Sequence, residues 1–214
     1  MRRFLAAGLA LGCVLSTPAI AQTPRVGLSV SLSPPDTLRR GARYARVQVR
    51  SLFADQRWAE ALDQSFPIRL SFRMEIWRSR DGWIDEFQRA TEWSTVIQYE
   101  PLQDQYKVTD LLLSGPVETR YPTRDDLARW IGTTREVDAL PVGGGVFYYD
   151  IKLRISALSD EDMEEIEQFL AGGSATPARP ERSSLGRSFR RFLLRLAGLP
   201  GEDLNVKTER FRVR

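Results

Sequence analysis

Three carboxylates, Asp81, Asp85 and Glu86, gather with Trp77, Trp83, Arg78 and Arg80 in WRSRDGWIDEF, residues 77 to 87. Glycoside hydrolysis needs two carboxylates on either side of the scissile bond, and tryptophan faces suit sugar rings. Such chemistry also requires one carboxyl held protonated while the other stays ionised. The same residues read equally as a hairpin: Asp81-Gly82 is a strong turn signal between two β-prone runs, and tryptophans flanking it can pair across strands. The spacing favours the hairpin, so no residue is assigned as catalytic, and Trp77 and Trp83 are retained as candidates for binding.

Other stretches with functional resonance resolve in the same way. Tyr99 and Tyr106 flank PLQDQ, residues 101 to 105, an arrangement expected of a hairpin whose tyrosines bury their rings and hydrogen-bond at their tips. Gly143, Gly144 and Gly145 lack the Gly-Lys-Ser/Thr ending of a phosphate loop and open a strand, where that loop must lead into a helix. They are expected to form a flexible connection. The acidic stretch Asp160 to Glu167 lacks the glycine and spaced oxygen ligands of a calcium loop and reads as a solvated helix face.

The chain begins with Arg2 and Arg3, an apolar run from Phe4 to Leu15, then Ser16-Thr17-Pro18 and Ala19-Ile20-Ala21 before Gln22. This is the layout of a secretory signal peptide over residues 1 to 21, and the run falls well short of the roughly 20 residues of a membrane-spanning helix. A lipoprotein signal ending at Cys13 fits poorly, because the apolar run continues past the cysteine. There is no histidine, and Cys13 is the one cysteine. Removal of the leader would leave a chain without disulfides, without Cys or His nucleophile chemistry and without the usual transition-metal ligands. No cofactor and no transition metal is expected. The formal charge of +3 includes Arg2 and Arg3; without them 29 basic residues face 28 acidic ones, all but Lys107, Lys152 and Lys207 of the basic ones being arginine. Such balance gives no electrostatic reason to expect a nucleic acid partner.

The elements that must position these residues are written in a period of two. Val26, Leu28, Val30 and Leu32 alternate with small residues; Ala45, Val47 and Val49 alternate with Arg46, Gln48 and Arg50. Ile68, Leu70, Phe72, Met74 and Ile76 form the next stripe, Trp93 to Tyr99 another, and Phe147 to Ala157 the longest. Shorter candidates are 106 to 112, 117 to 121, 135 to 140 and 204 to 213. Half-buried alternation belongs to antiparallel sheets, and about eight such strands give a mainly β fold, an antiparallel β-sandwich or open barrel with two or three short helices. Thr123 can cap one helix that Gly132 ends, Trp58 and Leu62 share a face over 56 to 64, and Ser159 starts an acidic helix ending at Gly172.

A single β-rich domain is thus expected over 22 to 214. Within it GGSATPARPERSS, beginning at Gly172 and running to residue 184, is a linker by composition. The helix predicted at 185 to 197 gathers Leu185, Phe189, Phe192, Leu193 and Leu196 on one face and Arg187, Arg190, Arg191 and Arg195 on the other. Such a helix can cover one end of the sheet, lie on an anionic membrane surface or dock in a partner's groove. Phe189, Arg190, Arg191, Phe192 and Arg195 are the candidate contacts, for an envelope protein or a membrane.

ALDQSFPIRLSFRMEIWRSRDGW (61 to 83), QYEPLQDQYKV (98 to 108), the strand at 146 to 157 and LLRLAGLP (193 to 200) before a last strand resemble a family of signal-peptide-bearing bacterial proteins, the domain-of-unknown-function family numbered 4390. The resemblance implies an exported, β-rich bacterial protein and supplies no catalytic residues. The expected role is a noncatalytic interaction or accessory protein of the cell envelope, periplasmic or extracellular; the alternative is a hydrolase of envelope glycans using Asp81, Asp85 or Glu86.

Overall fold

The computed structural model describes residues 25–112, 115–157 and 201–214. The predicted leader, the acidic helix from Ser159, the linker at 172 to 184 and the basic helix at 185 to 197 lie outside the described residues.

Two antiparallel sheets face each other in a sandwich that does not close into a barrel. The smaller is ordered β1 (Gly27–Leu32), β2 (Ala45–Arg50), β7 (Arg135–Val137). The larger places β3 (Ile68–Ser79) at its centre, between β4 (Glu86–Glu100) and β8 (Gly145–Ala157). Beyond β4 come β5 (Gln105–Leu112) and β6 (Gly115–Tyr121); beyond β8 come β9 (Gly201–Lys207) and β10 (Phe211–Val213), end to end along one edge of β8.

Period-two alternation explains this arrangement. Ile68, Leu70, Phe72, Met74 and Ile76 are all buried, and in register beside them lie Ile97 and Thr95 of β4 and Ile155, Leu153, Ile151 and Tyr149 of β8. The stripe packs against Ala45, Val47 and Val49 of β2 and against two helices, in one continuous core. Each aliphatic side chain removed from water there contributes about 1.5–3 kcal/mol. α1 (Gln56–Asp63) is capped by Asp55, whose side chain accepts from the Arg57 amide, and buries Trp58 and Leu62. α2 (Arg124–Ile131) is capped by Thr123, which accepts from the Asp126 amide, and buries Leu127 and Ile131.

Ten strands form among the described residues where about eight were expected, and the differences have local causes. The run 204 to 213 is interrupted because Thr208 to Arg210 oppose only Tyr148 and Tyr149, one residue more than the partner strand. Thr208 uses the break, its hydroxyl accepting from the Tyr149 amide at 3.0 Å and its own amide donating to the Tyr149 carbonyl at 2.9 Å. The strand expected over 135 to 140 stops at Val137, where the Ala139 amide turns back to the Val137 carbonyl at 2.8 Å. At the end of the glycine run Gly145 has φ +146°, a conformation that side-chain-bearing residues rarely adopt, and a Cβ there would sit 2.8 Å from Arg78 Nε.

Candidate functional site

The β3–β4 hairpin turns over Arg80 to Asp85, with Gly82 at φ +76°. The Arg80 amide donates to Asp85 Oδ1 at 3.2 Å and the Trp83 amide to the Arg80 carbonyl at 3.3 Å. This fixes the turn and throws its apolar side chains outward: Trp83 is 82% exposed and Ile84 89%. The tryptophans do not pair across the strands. Trp77 instead lies opposite Phe87, their rings edge-to-face at 5.5 Å, and its indole donates to Glu75 Oε2 at 3.2 Å. A register shift after Ile76 leaves Gln88 unopposed, and Gln88 reaches the Val142 main chain, donating at 3.0 Å and accepting at 3.2 Å. Exposed Val142 thereby joins Trp83, Ile84 and half-exposed Phe87 at one end of the large sheet.

Two of the three carboxylates of this segment are engaged by donors. Asp85 Oδ2 accepts from the Tyr148 hydroxyl at 2.9 Å, which with the Arg80 amide holds its carboxyl below the ordinary range. The same contact, after burial, pushes the Tyr148 hydroxyl up to about 12. Glu86 pairs with Arg80, and Asp81 is exposed in the turn. Farther along the outer face, Glu75 and Asp150 lie opposite each other in register, both largely buried. Glu75 Oε1 accepts from Arg73 Nε at 2.8 Å and Lys152 Nζ at 3.3 Å, and Asp150 Oδ2 pairs with Lys207 Nζ at 3.5 Å. The Arg73 contact first, and then Trp77 and Lys152, hold the Glu75 carboxyl below its usual range against the opposing effect of burial. With Glu92, which also pairs with Arg73, three cations meet three acids and make this a charge-balanced structural cluster. No group of three or more acidic, His or Cys side chains placed to hold a metal ion occurs among the described residues. The small apolar crevice between the sheets, lined by Val47, Leu70, Phe72, Trp93 and Trp130, has a volume of about 30 Å³, room for roughly one water.

Of the residues singled out for binding, Trp83 stands in solvent and Trp77 is half-buried behind it; Phe189, Arg190, Arg191, Phe192 and Arg195 lie outside the described residues. The sequence reading missed a group of arginines at the same end of the molecule. Arg40 and Arg43 precede β2, and Arg210, Arg212 and Arg214 flank and continue β10; together they line one open crevice. Arg78 and Arg210 connect it to the hairpin, Arg78 lying against Gly145 and Arg210 close enough to Asp85 and Tyr148 to affect their ionisation. The signal was present in ERFRVR, where three arginines recur at every second position and must share a strand face.

Residues 37–160 match the family described as Domain of unknown function (DUF4390). The chain belongs to the DUF4390 family. No curated protein and no solved structure matches it. The DUF4390 match runs from the turn before β2 through β8, so it takes in the hairpin with Trp77 and Trp83 and also Arg40 and Arg43. It stops short of β9 and β10, which complete the edge of the large sheet and supply Arg210 and Arg212.

Proposed function

We propose that this DUF4390 protein is an exported, noncatalytic interaction protein of the bacterial cell envelope that seats the hairpin end of its sandwich on an anionic membrane surface. The observation that carries the reading is the exposure of Trp83 and Ile84 at the tip of a hydrogen-bonded turn with arginines around it. A rigid turn that holds a tryptophan and an isoleucine in water has a use for them when they enter an apolar phase. Tryptophan favours the boundary where one end of its ring system is apolar and the other wet, and exposed Arg78 and Arg210 supply attraction to anionic headgroups. Export is supported by the pattern of Arg2-Arg3, the apolar run and Ala19-Ile20-Ala21. The sequence at 185 to 197, with Phe189 and Phe192 opposite Arg190, Arg191 and Arg195, offers a second contact of the same chemistry. The hydrolase alternative calls for a carboxyl held protonated, whereas the donors around Asp85 favour its ionised form, and Glu86 is paired with Arg80.

The test is co-sedimentation of the purified protein with phosphatidylglycerol-containing vesicles, against phosphatidylcholine vesicles as reference. Burying one such side chain contributes about 1.5–3 kcal/mol, so Trp83→Ser with Ile84→Ser should lower partitioning at least tenfold with the melting temperature unchanged. Equal binding by the double variant would remove the hairpin from this role. If deletion of 185 to 197 alone abolished binding, the contact would pass to that segment.

A further inference from the structure

We infer that the arginine-lined crevice at this end is a binding site for a phosphate group, of the doubly charged monoester type. Two chain segments far apart in sequence are fastened together to form it. The turn from Asp36 to Ala42 closes on itself, with the Asp36 amide donating to the Ala42 carbonyl at 2.9 Å and the Gly41 amide to the Asp36 carbonyl at 2.7 Å. It is then tied to the C-terminal strand by the Arg214 amide, which donates to the Arg40 carbonyl at 2.9 Å. Gly41, at φ +86°, supplies the left-handed backbone this turn requires beside the Arg212 carbonyl.

The crevice encloses about 760 Å³, open to solvent, and its walls include Thr37, Arg40, Arg43, Arg210 and Arg212. Leaving Arg214 aside, four guanidinium groups face one carboxylate, Glu209, which pairs with Arg43 at 3.4 Å. Among the described residues Arg40, Arg210 and Arg212 have no carboxylate within ion-pair distance. Elsewhere on the large sheet Arg73, Arg80 and Arg154 are each matched to an acid, and Arg69 and Arg89, which are not, donate to the Ser94 hydroxyl and the Leu140 carbonyl. Like charges fixed in one concavity repel, and a bound anion relieves that repulsion. Guanidinium groups match phosphate oxygens in planar, two-pronged hydrogen bonds.

The backbone supplies a clean test. Arg40 adopts φ +57°, in the left-handed region that favours glycine, as Ser51, Ser65 and Asp104 do in other turns. Arg40→Gly therefore separates binding from folding: it removes a cation while relieving the backbone.

The site does not depend on the membrane reading, since a soluble phosphomonoester and a lipid headgroup present the same group. Binding is measured by calorimetry with inorganic phosphate and glycerol 1-phosphate, and by co-sedimentation with vesicles containing phosphatidic acid. The expected result is phosphate binding that weakens with added sodium chloride and falls at least tenfold in Arg40→Gly and in Arg212→Ala. Arg154→Ala, at a paired arginine on the outer face, should leave it unchanged, as should the Trp83→Ser, Ile84→Ser variant for the soluble ligands. Binding to phosphatidic acid vesicles without binding to the soluble esters assigns the site to a lipid headgroup; binding to all three assigns it to the phosphate group from either source. Absence of binding in every arm, or affinity indifferent to Arg40→Gly and Arg212→Ala, overturns the inference. Loss of vesicle binding in the Trp83 and Ile84 variant with phosphate affinity intact leaves this site standing, whatever becomes of the membrane reading.

Discussion

Replacing Tyr149 by phenylalanine removes one oxygen from the centre of the molecule. The ring is fully buried on β8 and packs on Phe211 at 5.3 Å between centroids, contacts that phenylalanine keeps. The hydroxyl donates to the Arg43 carbonyl at 2.6 Å, with the Ala139 carbonyl also at 3.2 Å. It thus ties the large sheet to the segment entering β2 and to the turn after β7. Without it, buried carbonyl oxygen loses its donor, at a cost of about 1–3 kcal/mol. For a chain of this size each kcal/mol is worth about 2–4 °C, so the melting temperature should fall by about 2–12 °C. Burial also pushes the Tyr149 hydroxyl well above its ordinary value. A raised folded value gives stability that is fully present below the unfolded value, about 10, and lost as pH rises beyond it. The gap between wild type and Tyr149→Phe should therefore be constant from pH 7 to 9 and narrow above pH 10. Melts followed by near-ultraviolet circular dichroism across that range check both parts. Equal melting temperatures at pH 7 would refute the argument that this hydroxyl fastens the two layers.

Three further substitutions probe the frame. Asp55→Ala removes the cap of α1 and the Arg57 partner, at a cost of about 0.5–2 kcal/mol in urea unfolding at pH 7; because Arg57 lowers the Asp55 carboxyl's value, the cost should shrink as pH falls below about 4, and a pH-independent cost would contradict that origin. Glu75→Gln should lower stability by about 1.5–3 kcal/mol by neutralising the acceptor shared by Arg73, Lys152 and Trp77. Since the Glu75 value is depressed, its contribution is present above the usual carboxylate range and lost in acid, so wild type and variant should converge towards pH 3 in urea melts. Gly145→Ala forces a Cβ onto Arg78 at positive φ and should cost about 1–3 kcal/mol, read as a lowered urea midpoint; an unchanged midpoint would show that Arg78 swings away and the backbone accommodates alanine.

The large sheet was legible because its information is local. Ile68 to Ile76 alternate without interruption, and a one-residue slip would turn every one of them to solvent. The cap at Thr123, the Asp81-Gly82 turn and the paired Tyr99 and Tyr106 likewise reside in a few consecutive residues; Tyr99 and Tyr106 do meet in register, rings 5.1 Å apart. What the sequence concealed depends on register between distant strands. Trp77 meets Phe87 rather than Gln88 because the strands shift after Ile76, while Trp83 falls in the turn itself, and nothing in the hairpin's composition announces that shift. Glu75 and Asp150 become neighbours through the pairing of β3 with β8, 75 residues apart. The crevice needs Arg40 and Arg212 brought together by a left-handed turn, and although the alternating arginines of β10 were visible, their partner segment was not.

Charge distribution shows why the chain-wide balance was a poor guide to this surface. On the outer face of the large sheet acids and bases are interleaved: Arg154 with Asp203, Lys152 with Glu75, Lys207 with Asp150, Arg73 with Glu92. Opposite charges within 4 Å cancel well inside the screening length of about 8 Å at physiological salt, so this face presents little field to a distant ligand. At the hairpin end the cations Arg40, Arg210 and Arg212 share one concavity with no such cancellation. Beside them stand Trp83 and Ile84, the former on a turn whose Asp85 is already held by Tyr148. A nearly neutral protein can therefore attract an anion strongly at one end while its broad face stays inert. That asymmetry orients the molecule: in the proposed role, the anion-seeking crevice and the apolar turn would reach the same surface together, with the sheet's strands leading away from it.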